Sequence, residues 1–253
     1  MKLLVGETGL VGTSLKEQQE FDHLFKSSTI DDLKRIAKDG DELYLACLPA
    51  TKWLVNKNLD RDLDNIYSIV NHLKGIKFSH INLISTIDVY SESPLGVDET
   101  YQPVSTKPSY GTNRYLFEQL VREQISYDRL SIFRLPALFN KHIKKNIVFD
   151  MLHNHNVEKV NANSSFQWYN LDHLYEHITF FNRHYHEDQV FNLFPEPLDT
   201  REVIKLFPDV HQCDWGPKVV YDYKTKFSTT GYFYLKETSL SYLKEFINEA
   251  RSN

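Results

Sequence analysis

Short apolar runs alternate with amphipathic segments through the first half of the chain. The runs are bounded by polar or turn-forming residues and are too short for helices, which is typical of buried parallel strands. The segments between them carry apolar residues at helical spacing, as Leu59, Ile66, Val70 and Leu73 do within 57–74. The predicted strands are 3–5, 23–28, 42–48, 81–85, 131–135 and 190–194, and the predicted helices are 11–19, 29–38, 57–74 and 109–124. This alternation predicts an α/β fold with a doubly wound parallel sheet.

The regular alternation weakens after Asn140. The later segments are shorter: 147–152, 172–185, 200–206 and 239–250 are predicted helices, and 165–169 is predicted to be extended. We expect a smaller annex interleaved with the sheet. The predicted division gives 1–140 with 187–206 to the main domain and 141–186 with 207–253 to the annex.

The first strand is followed at once by a cluster of glycines. Gly6, Gly9 and Gly12 fall within seven positions, although the 253 residues include only nine glycines. Between a strand and a helix, this spacing permits a tight turn, a close approach of backbone to a pyrophosphate, and close packing of helix on strand. The pattern predicts a dinucleotide site, and the alternative is a glycine-containing turn that binds nothing.

The net charge and the number of cysteines limit the classes of protein that fit this sequence. The net charge is −5 and no lysine- or arginine-rich run occurs, so nothing favours nucleic acid as a partner. No apolar run approaches the length that crosses a bilayer, and the two distant cysteines, Cys47 and Cys213, are typical of a reducing compartment. We expect a cytoplasmic protein with a small-molecule ligand and no membrane partner.

The histidines do not form a metal-binding motif. His173 and His177 have i, i+4 spacing, but the sequence between them is HLYEH rather than HExxH. No metal site is predicted.

Polar residues with catalytic chemistry follow the strand 81–85. Thr86 comes directly after this strand, and Tyr110 and Arg114 are four residues apart on a predicted helix. An i, i+4 pair shares one helix face, and ligands of open α/β sheets lie at the carboxyl ends of strands. Thr86 and the glycine turn both fall at such ends, so we expect them to border one cleft.

In these segments the chain resembles the extended short-chain dehydrogenase/reductase family, which contains nucleotide-sugar epimerases, dehydratases and reductases. The resemblance covers nearly the whole chain in order. Its pieces are Gly6, Gly9 and Gly12; 44–47; Thr86 to Tyr90; Tyr110 to Arg114, where the family has Tyr-x-x-x-Lys; Arg134 to Asn140; Gln167 to Asp172; and Phe191 with Asn192.

The resemblance implies catalytic roles for three residues. Tyr110 would be the acid/base for a substrate hydroxyl or carbonyl while hydride moves to or from nicotinamide, and Thr86 would hydrogen-bond the same oxygen. Arg114 stands where the family has a lysine that favours phenolate and binds the nicotinamide ribose. A guanidinium keeps the positive charge but cannot release a proton at working pH.

The resemblance also implies a cofactor, NADP or NAD. The residues expected to bind it are Gly6, Thr8, Gly9, Leu10, Val11, Gly12, Lys26, Ser27, Ala46, Cys47, Leu48, Tyr110, Arg114 and Leu135. The second predicted strand ends without an acid, and Lys26 favours the 2′-phosphate of NADP. Glu7 in the glycine turn favours NAD, and Lys26 is alternatively a solvated surface lysine.

The implied substrate is a sugar, expected to be nucleotide-linked. Its candidate contacts are Trp53, Asp88, Asn140, Gln167 and Tyr169. Family dehydratases place an acid and a base after the threonine, where this chain has Ile87 and Asp88, so one half of the pair is missing. This argues against a dehydratase and leaves keto-sugar reduction or epimerisation. The family's arginine near Gln167 is also not evident, which weakens the case for a diphosphate.

Two functions remain open on the sequence. The first is an NAD(P)-dependent sugar reductase or epimerase, with reduction favoured. The second is a dinucleotide-binding sensor or assembly protein of the same fold, in which Arg114 marks reduced catalysis. The outer faces of helices 57–74 and 109–124, with Tyr67, Tyr115 and Phe117, also predict a homodimer.

Overall fold

Six parallel strands form the main sheet in the computed structural model of the chain, which describes residues 1–210 and 216–252. The strands are β1 Lys2–Val5, β2 His23–Phe25, β3 Glu42–Leu45, β4 Lys77–Phe78, β5 His80–Thr86, β6 Ser126–Tyr127, β7 Leu130–Leu135, β8 Ala137–Phe139, β9 Ser165–Phe166, β10 Trp168–Asn170, β11 Gln189–Asn192 and β12 Leu198–Asp199. The main sheet has the order β11-β7-β5-β3-β1-β2. The predicted doubly wound parallel sheet is confirmed.

Helices connect the strands. They are α1 Leu10–Gln18, α2 Leu33–Ile36, α3 Lys52–Val55, α4 Leu59–Leu73, α5 Tyr110–Gln124, α6 Ile147–Leu152, α7 Leu174–His184, α8 Thr200–Ile204 and α9 Lys236–Ser252. Most agree with the predicted helices to within a few residues. The predicted helix 29–38 does not form as a unit, because a 3-10 turn at Ile30–Asp32 precedes the single turn of α2.

The central strands of the sheet are buried on both sides and successive strands are joined through helices, as is typical of parallel sheets. Leu3, Leu43, Ile81 and Ile132 are fully buried in one apolar cluster, to which α4 and α5 contribute their own apolar faces. Phe117 of α5 belongs to this cluster and is only 3% exposed, so its predicted place on an outer face is wrong.

The chain divides into two compact units whose boundaries differ from the predicted ones. Unit 1 consists of Met1–Pro94, Gln102–Arg134 and His173–Phe191, and unit 2 of Leu95–Tyr101, Leu135–Asp172 and Asn192–Asn253. Residues 173–186, which were predicted to lie in the annex, belong to unit 1. Residues 95–101, 135–140 and 192–206, which were predicted to lie in the main domain, belong to unit 2.

Packing explains both shifts. In unit 1, the Phe181 ring of α7 lies 4.4 Å from the Phe191 ring and 6.3 Å from the Phe133 ring, which places α7 against the sheet. In unit 2, the half-buried Glu99 carboxylate accepts hydrogen bonds from the backbone of Asn192 and from Thr225. Burial raises the pKa of the Glu99 carboxyl.

Unit 2 contains two short strand pairs, β8 with β10 in parallel and β9 with β12 in antiparallel orientation. Its core includes Trp168, Phe139 and Phe246, with the Phe139 ring 6.4 Å from Trp168 and 5.8 Å from Phe246. Cys213, one of the two cysteines considered in the sequence, lies outside the described residues.

Candidate active site

The glycine turn lies at the point where the strand order of the sheet reverses. From β1 the chain passes to β2 on one side and then to β3 on the other, so a crevice opens between the carboxyl ends of β1 and β3. Gly6 has a φ of +99°, and a Cβ at Gly6 would overlap the carbonyl oxygen of Ala46 after β3. A Cβ at Gly12 would overlap the carbonyl oxygen of Gly6. These two glycines are therefore required by the turn itself.

Gly9 differs from these two glycines. It is the N-cap of α1, no side chain caps this helix, and the nearest atom to a Cβ at Gly9 would be the Gly6 oxygen at 3.5 Å. Thr8 and Gly9 are exposed, whereas Leu10 and Val11 are half-buried. The first amides of a helix lack partners within the helix, so an uncapped, open N-terminus suits a phosphate. The residues present fit the pyrophosphate of a dinucleotide.

The end of β2 carries no acid. The strand ends at Phe25 rather than at residue 28, and Lys26 and Ser27 lie exposed in the turn that follows. The Lys26 amide donates to Thr29 Oγ1 at 3.1 Å, which fixes this turn. Glu7 forms an ion pair with Lys16, whose Nζ lies 2.7 Å from the carboxylate. The acid that favoured NAD is thus paired within the first turn and helix.

Tyr110 is the first residue of α5. Ser109 caps the helix by accepting a hydrogen bond from the Thr112 amide at 3.2 Å, and the Tyr110 amide donates to Asn56 Oδ1 at 2.8 Å. A Cβ at Gly111 would overlap the Asp88 carbonyl oxygen. The helix can therefore approach the 3-10 turn Ile87–Tyr90 closely, and Thr86 caps that turn.

The structure places Tyr110, Thr86 and Arg114 near one another within unit 1. Thr86 and Arg114 both lie close to the Tyr110 phenol, and the Arg114 guanidinium carbon lies 4.4 Å from the centroid of its ring. Burial raises the pKa of the Tyr110 phenol above its ordinary value of 10.0, and the Arg114 charge opposes this rise only in part. Without a ligand, Tyr110 is held as a neutral phenol, which is a proton donor.

Arg114 is bound by a residue that the sequence did not single out. Its Nη1 donates to Asp62 Oδ2 at 2.7 Å, and its Nη2 donates to Asp62 Oδ1 at 3.0 Å and to the Pro49 oxygen at 2.6 Å. The two side chains are 5% and 3% exposed. Three donors of the guanidinium are thus already used, which limits what Arg114 can offer to a ribose.

The remaining residues predicted to bind cofactor line the ends of strands. Strand β3 ends at Leu45 rather than at Leu48, so Ala46, Cys47 and Leu48 follow it in the loop, where the Ala46 amide still donates to Val5. Burial raises the pKa of the Cys47 thiol to about 12, so this thiol is neutral. Leu135 is the last residue of β7 and is buried.

Two of the predicted substrate contacts lie in unit 1. Asp88 forms an ion pair with Lys52 of α3, whose Nζ lies 2.6 Å from the carboxylate. Trp53 is 62% exposed on the same helix, and Lys57 Nζ lies 4.8 Å from the centroid of its ring. The structure leaves the Trp53 side chain accessible.

The other three are buried in unit 2, where their side chains have partners inside the protein. Gln167 is 1% exposed; its amide donates to the Pro195 and Tyr223 oxygens and accepts from the Tyr223 amide. Tyr169 is fully buried, 6.3 Å from the Tyr234 ring. The Asn140 side chain, also fully buried, donates to Asp172. These side chains hold unit 2 together, because a buried amide or phenol needs partners inside the protein.

Asp62, Asn113 and Gly111 are the site residues that the sequence analysis missed. Asn113 donates to Asp62 Oδ2 at 2.9 Å, so Asp62 accepts from two residues of α5. A signal was present, because Asp62 lies three residues after Leu59 and four before Ile66, on the apolar face of α4. A carboxylate on a buried face requires a cationic partner.

Neither a metal centre nor a membrane span is present among residues 1–210 and 216–252. No group of three or more histidine, cysteine, aspartate or glutamate side chains is placed to hold a metal ion there. No helix in this part is long and apolar enough to cross a bilayer. The His177 imidazole, which the motif analysis considered, has its pKa lowered to about 4 by burial.

Comparison with known proteins gives similarity only at the level of structure. No protein-family model matches the chain, and no curated protein sequence matches it. Several solved structures do. UDP-glucuronic acid 4-epimerase from Bacillus cereus, in complex with UDP-4-deoxy-4-fluoro-glucuronic acid and NAD, has a TM-score of 0.75 at 16% identity over 100% of this chain and 99% of its own.

Two further solved structures are similar to a comparable degree. RMD from Pseudomonas aeruginosa complexed with NADPH has a TM-score of 0.69 at 15% identity, over 99% of this chain and 97% of its own. The dTDP-4-dehydrorhamnose reductase from Yersinia enterocolitica has a TM-score of 0.68 at 12% identity, over 98% of each chain. Together with the six-stranded sheet and its glycine turn, these similarities show that this chain has the fold of the extended short-chain dehydrogenase/reductases.

Proposed function

We propose that this protein is an NADP(H)-dependent oxidoreductase that reduces a keto group of a nucleotide-linked sugar. The observation that carries the proposal is the buried Tyr110 phenol, which lies close to Thr86 at the carboxyl end of β5 and has the Arg114 guanidinium carbon 4.4 Å from its ring. Ligands of such sheets bind at this end, where the glycine turn also lies. The similar solved structures include reductases and epimerases of nucleotide sugars, with NAD or NADPH bound in some of them.

Each part of the site has a task in this proposal. Gly6, Gly9 and Gly12 would admit the pyrophosphate to the N-terminus of α1, and Lys26 would face the 2′-phosphate. A bound nicotinamide cofactor supplies hydride. As the carbonyl carbon accepts it, the oxygen becomes an alkoxide that Tyr110 protonates, while Thr86 holds the same oxygen.

The protonation state of Tyr110 supports reduction over oxidation. A tyrosine that starts an oxidation must first be a phenolate, whereas a tyrosine that completes a reduction must be a phenol. Burial raises the pKa of this phenol. At neutral pH the site therefore begins with the proton that a reduction consumes.

The test begins with the purified full chain, titrated with NADPH and with NADH while nicotinamide fluorescence is followed. We expect NADPH to bind more tightly. Reduction of dTDP-4-dehydrorhamnose and of UDP-linked 4-keto sugars is then measured, with wild type and Tyr110→Phe. Phenylalanine keeps the ring over Arg114 but lacks the hydroxyl, so turnover should fall by about 100-fold or more while NADPH affinity is kept. Failure of both coenzymes to bind a folded protein would refute the proposal.

A dinucleotide-binding sensor is the second candidate, and the Asp62–Arg114 pair favours it. Three donors of the Arg114 guanidinium are already taken by Asp62 and the Pro49 oxygen, so Arg114 has less to offer the nicotinamide ribose that a catalytic site must hold. A sensor binds the coenzyme and is indifferent to Tyr110→Phe. Turnover that depends on the Tyr110 hydroxyl excludes this candidate.

A further inference from the structure

We propose that Asp62 is a positioning residue that fixes Arg114 beneath Tyr110 and neutralises its charge, so that Tyr110 acts as a proton donor. This inference rests on the proposed function for its catalytic meaning. Its structural part concerns the ionisation of one phenol, and it is tested without cofactor or substrate.

The geometry of the pair is the first support. The Asp62 carboxylate binds Arg114 through two parallel hydrogen bonds of 2.7 and 3.0 Å, and it accepts a third from Asn113 at 2.9 Å. Bidentate pairing fixes both the position and the plane of a guanidinium. With the Arg114 guanidinium carbon 4.4 Å from the centroid of the Tyr110 ring, Asp62 determines where the cation sits relative to the phenol.

The charge around the phenol is the second support. The groups that face it are Arg114 on α5, Thr86 at the end of β5, Asp88 in the following turn, and, through Arg114, Asp62 on α4 and Cys47 after β3. The Cys47 thiol is neutral, and Asp88 is paired with Lys52. The balance between Arg114 and Asp62 therefore sets the net charge at the phenol.

An arginine paired with an aspartate and an unpaired cation have different effects on the pKa of the phenol. An unpaired cation stabilises phenolate and prepares a base. A cation bound to a buried carboxylate contributes little net charge, so burial dominates and the phenol keeps its proton. Arg114 and Asp62 therefore act together to keep the Tyr110 phenol protonated.

The experiment follows the ionisation of Tyr110 in four full-length proteins: wild type, Asp62→Asn, Arg114→Gln, and the double variant. The proteins carry tyrosine labelled with carbon-13 at Cζ, and NMR spectra are recorded from pH 7 to 11.5. The resonance of Tyr110 is the one that Tyr110→Phe removes. We expect the lowest ionisation midpoint in Asp62→Asn, about 1 to 2 pH units below wild type, and the highest in Arg114→Gln.

The double variant replaces the ion pair with two neutral amides, so its midpoint should return close to that of wild type. Asp60→Asn, which removes an exposed carboxylate from the same helix, is the matched control and should not shift the midpoint. If Asp62→Asn does not fold, the comparison of Arg114→Gln with the double variant measures the same charge. Equal midpoints with and without Asp62 would overturn the inference.

The catalytic part is read from the pH profile of reduction. In Asp62→Asn the alkaline limb of kcat/KM should move to lower pH in step with the NMR midpoint, because phenolate can no longer donate a proton. A shifted midpoint in a protein without turnover would reject the proposed function but keep the role of Asp62. Turnover with an unshifted midpoint would reject only the role of Asp62.

Discussion

Gly9 and Gly12 lie one helical turn apart, and they differ in what an added methyl group would meet. At Gly12 it would overlap the Gly6 oxygen, whereas at Gly9 its nearest neighbour would be that same oxygen at an ordinary 3.5 Å. We expect Gly12→Ala to destabilise the fold by about 1–3 kcal/mol through overpacking. Chemical denaturation measures this change.

Gly9→Ala should weaken cofactor binding and leave the stability of the fold nearly unchanged. Its stability should stay within about 0.5 kcal/mol of wild type, while affinity for NADPH falls at least tenfold because the methyl group stands where the pyrophosphate approaches the backbone. Fluorescence titration of the same preparation provides the affinity. Unchanged affinity in Gly9→Ala would show that the turn does not receive a dinucleotide.

Lys26 is the residue at which coenzyme choice can be tested. It is exposed after β2, beside Ser27, with no acid at the end of that strand. We expect Lys26→Glu to lower the preference for NADPH over NADH by about tenfold or more, because an acid repels the 2′-phosphate and accepts from a free ribose hydroxyl. Lys34→Glu, the same charge change at an exposed position of α2, should leave the ratio of the two affinities unchanged. An equal change in both variants would assign the effect to net charge alone.

The element that positions the candidate site most directly is α5. It carries Tyr110 and Arg114 on one face, and the lack of a side chain at Gly111 lets it approach the turn after β5. We expect Gly111→Ala to push the start of the helix away from Thr86 and to lower kcat for reduction at least tenfold. Steady-state kinetics with saturating NADPH measures the loss.

Ser109→Ala is the control for this element. It removes the N-cap of α5 and should cost about 1 kcal/mol of stability, but it adds no atom between the helix and the turn. We expect the two variants to have comparable stability, and Ser109→Ala to have a much larger kcat than Gly111→Ala. Equal kcat values would mean that the contact between helix and turn does not position Tyr110.

Helices and strands were predicted well where the residues within the element determine its structure. The helices 57–74 and 109–124 were found from apolar periodicity, and in the structure Asn58 and Ser109 cap them. The extended segment 165–169 was only partly right. It is divided into β9 and β10 on either side of Gln167, whose amide binds backbone groups of residues 195 and 223. Partners so distant in sequence leave no local signal.

At the scale of the whole molecule, the homodimer remains a prediction. Fewer exposed aromatic residues support it than the sequence indicated. Phe117 is buried in the core and Tyr115 is half-buried, which leaves Tyr67 as an aromatic residue 48% exposed on α4. We expect sedimentation to show a species of twice the 29.8 kDa chain mass at micromolar concentration and Tyr67→Glu to convert it to monomer. A single 29.8 kDa species for wild type would remove the prediction.

The sequence by itself determined the order of strands and helices, the fold class and the turn at Gly6. These features are encoded locally: hydrophobic periodicity selects the element, and a positive φ with no room for a Cβ demands glycine. It also determined that Thr86 follows a strand end and that Tyr110 and Arg114 share a helix face, which made them the candidate site residues.

Only the tertiary structure decided which distant groups meet. It paired Arg114 with Asp62, buried Gln167 and Tyr169 in unit 2, and placed α7 on the sheet. Each outcome depends on desolvation: a buried charge or amide must find a partner wherever the fold brings one, and the sequence spacing between the two is arbitrary. The charge next to Tyr110 is therefore a property of the folded chain, because it is the sum of two residues from different helices.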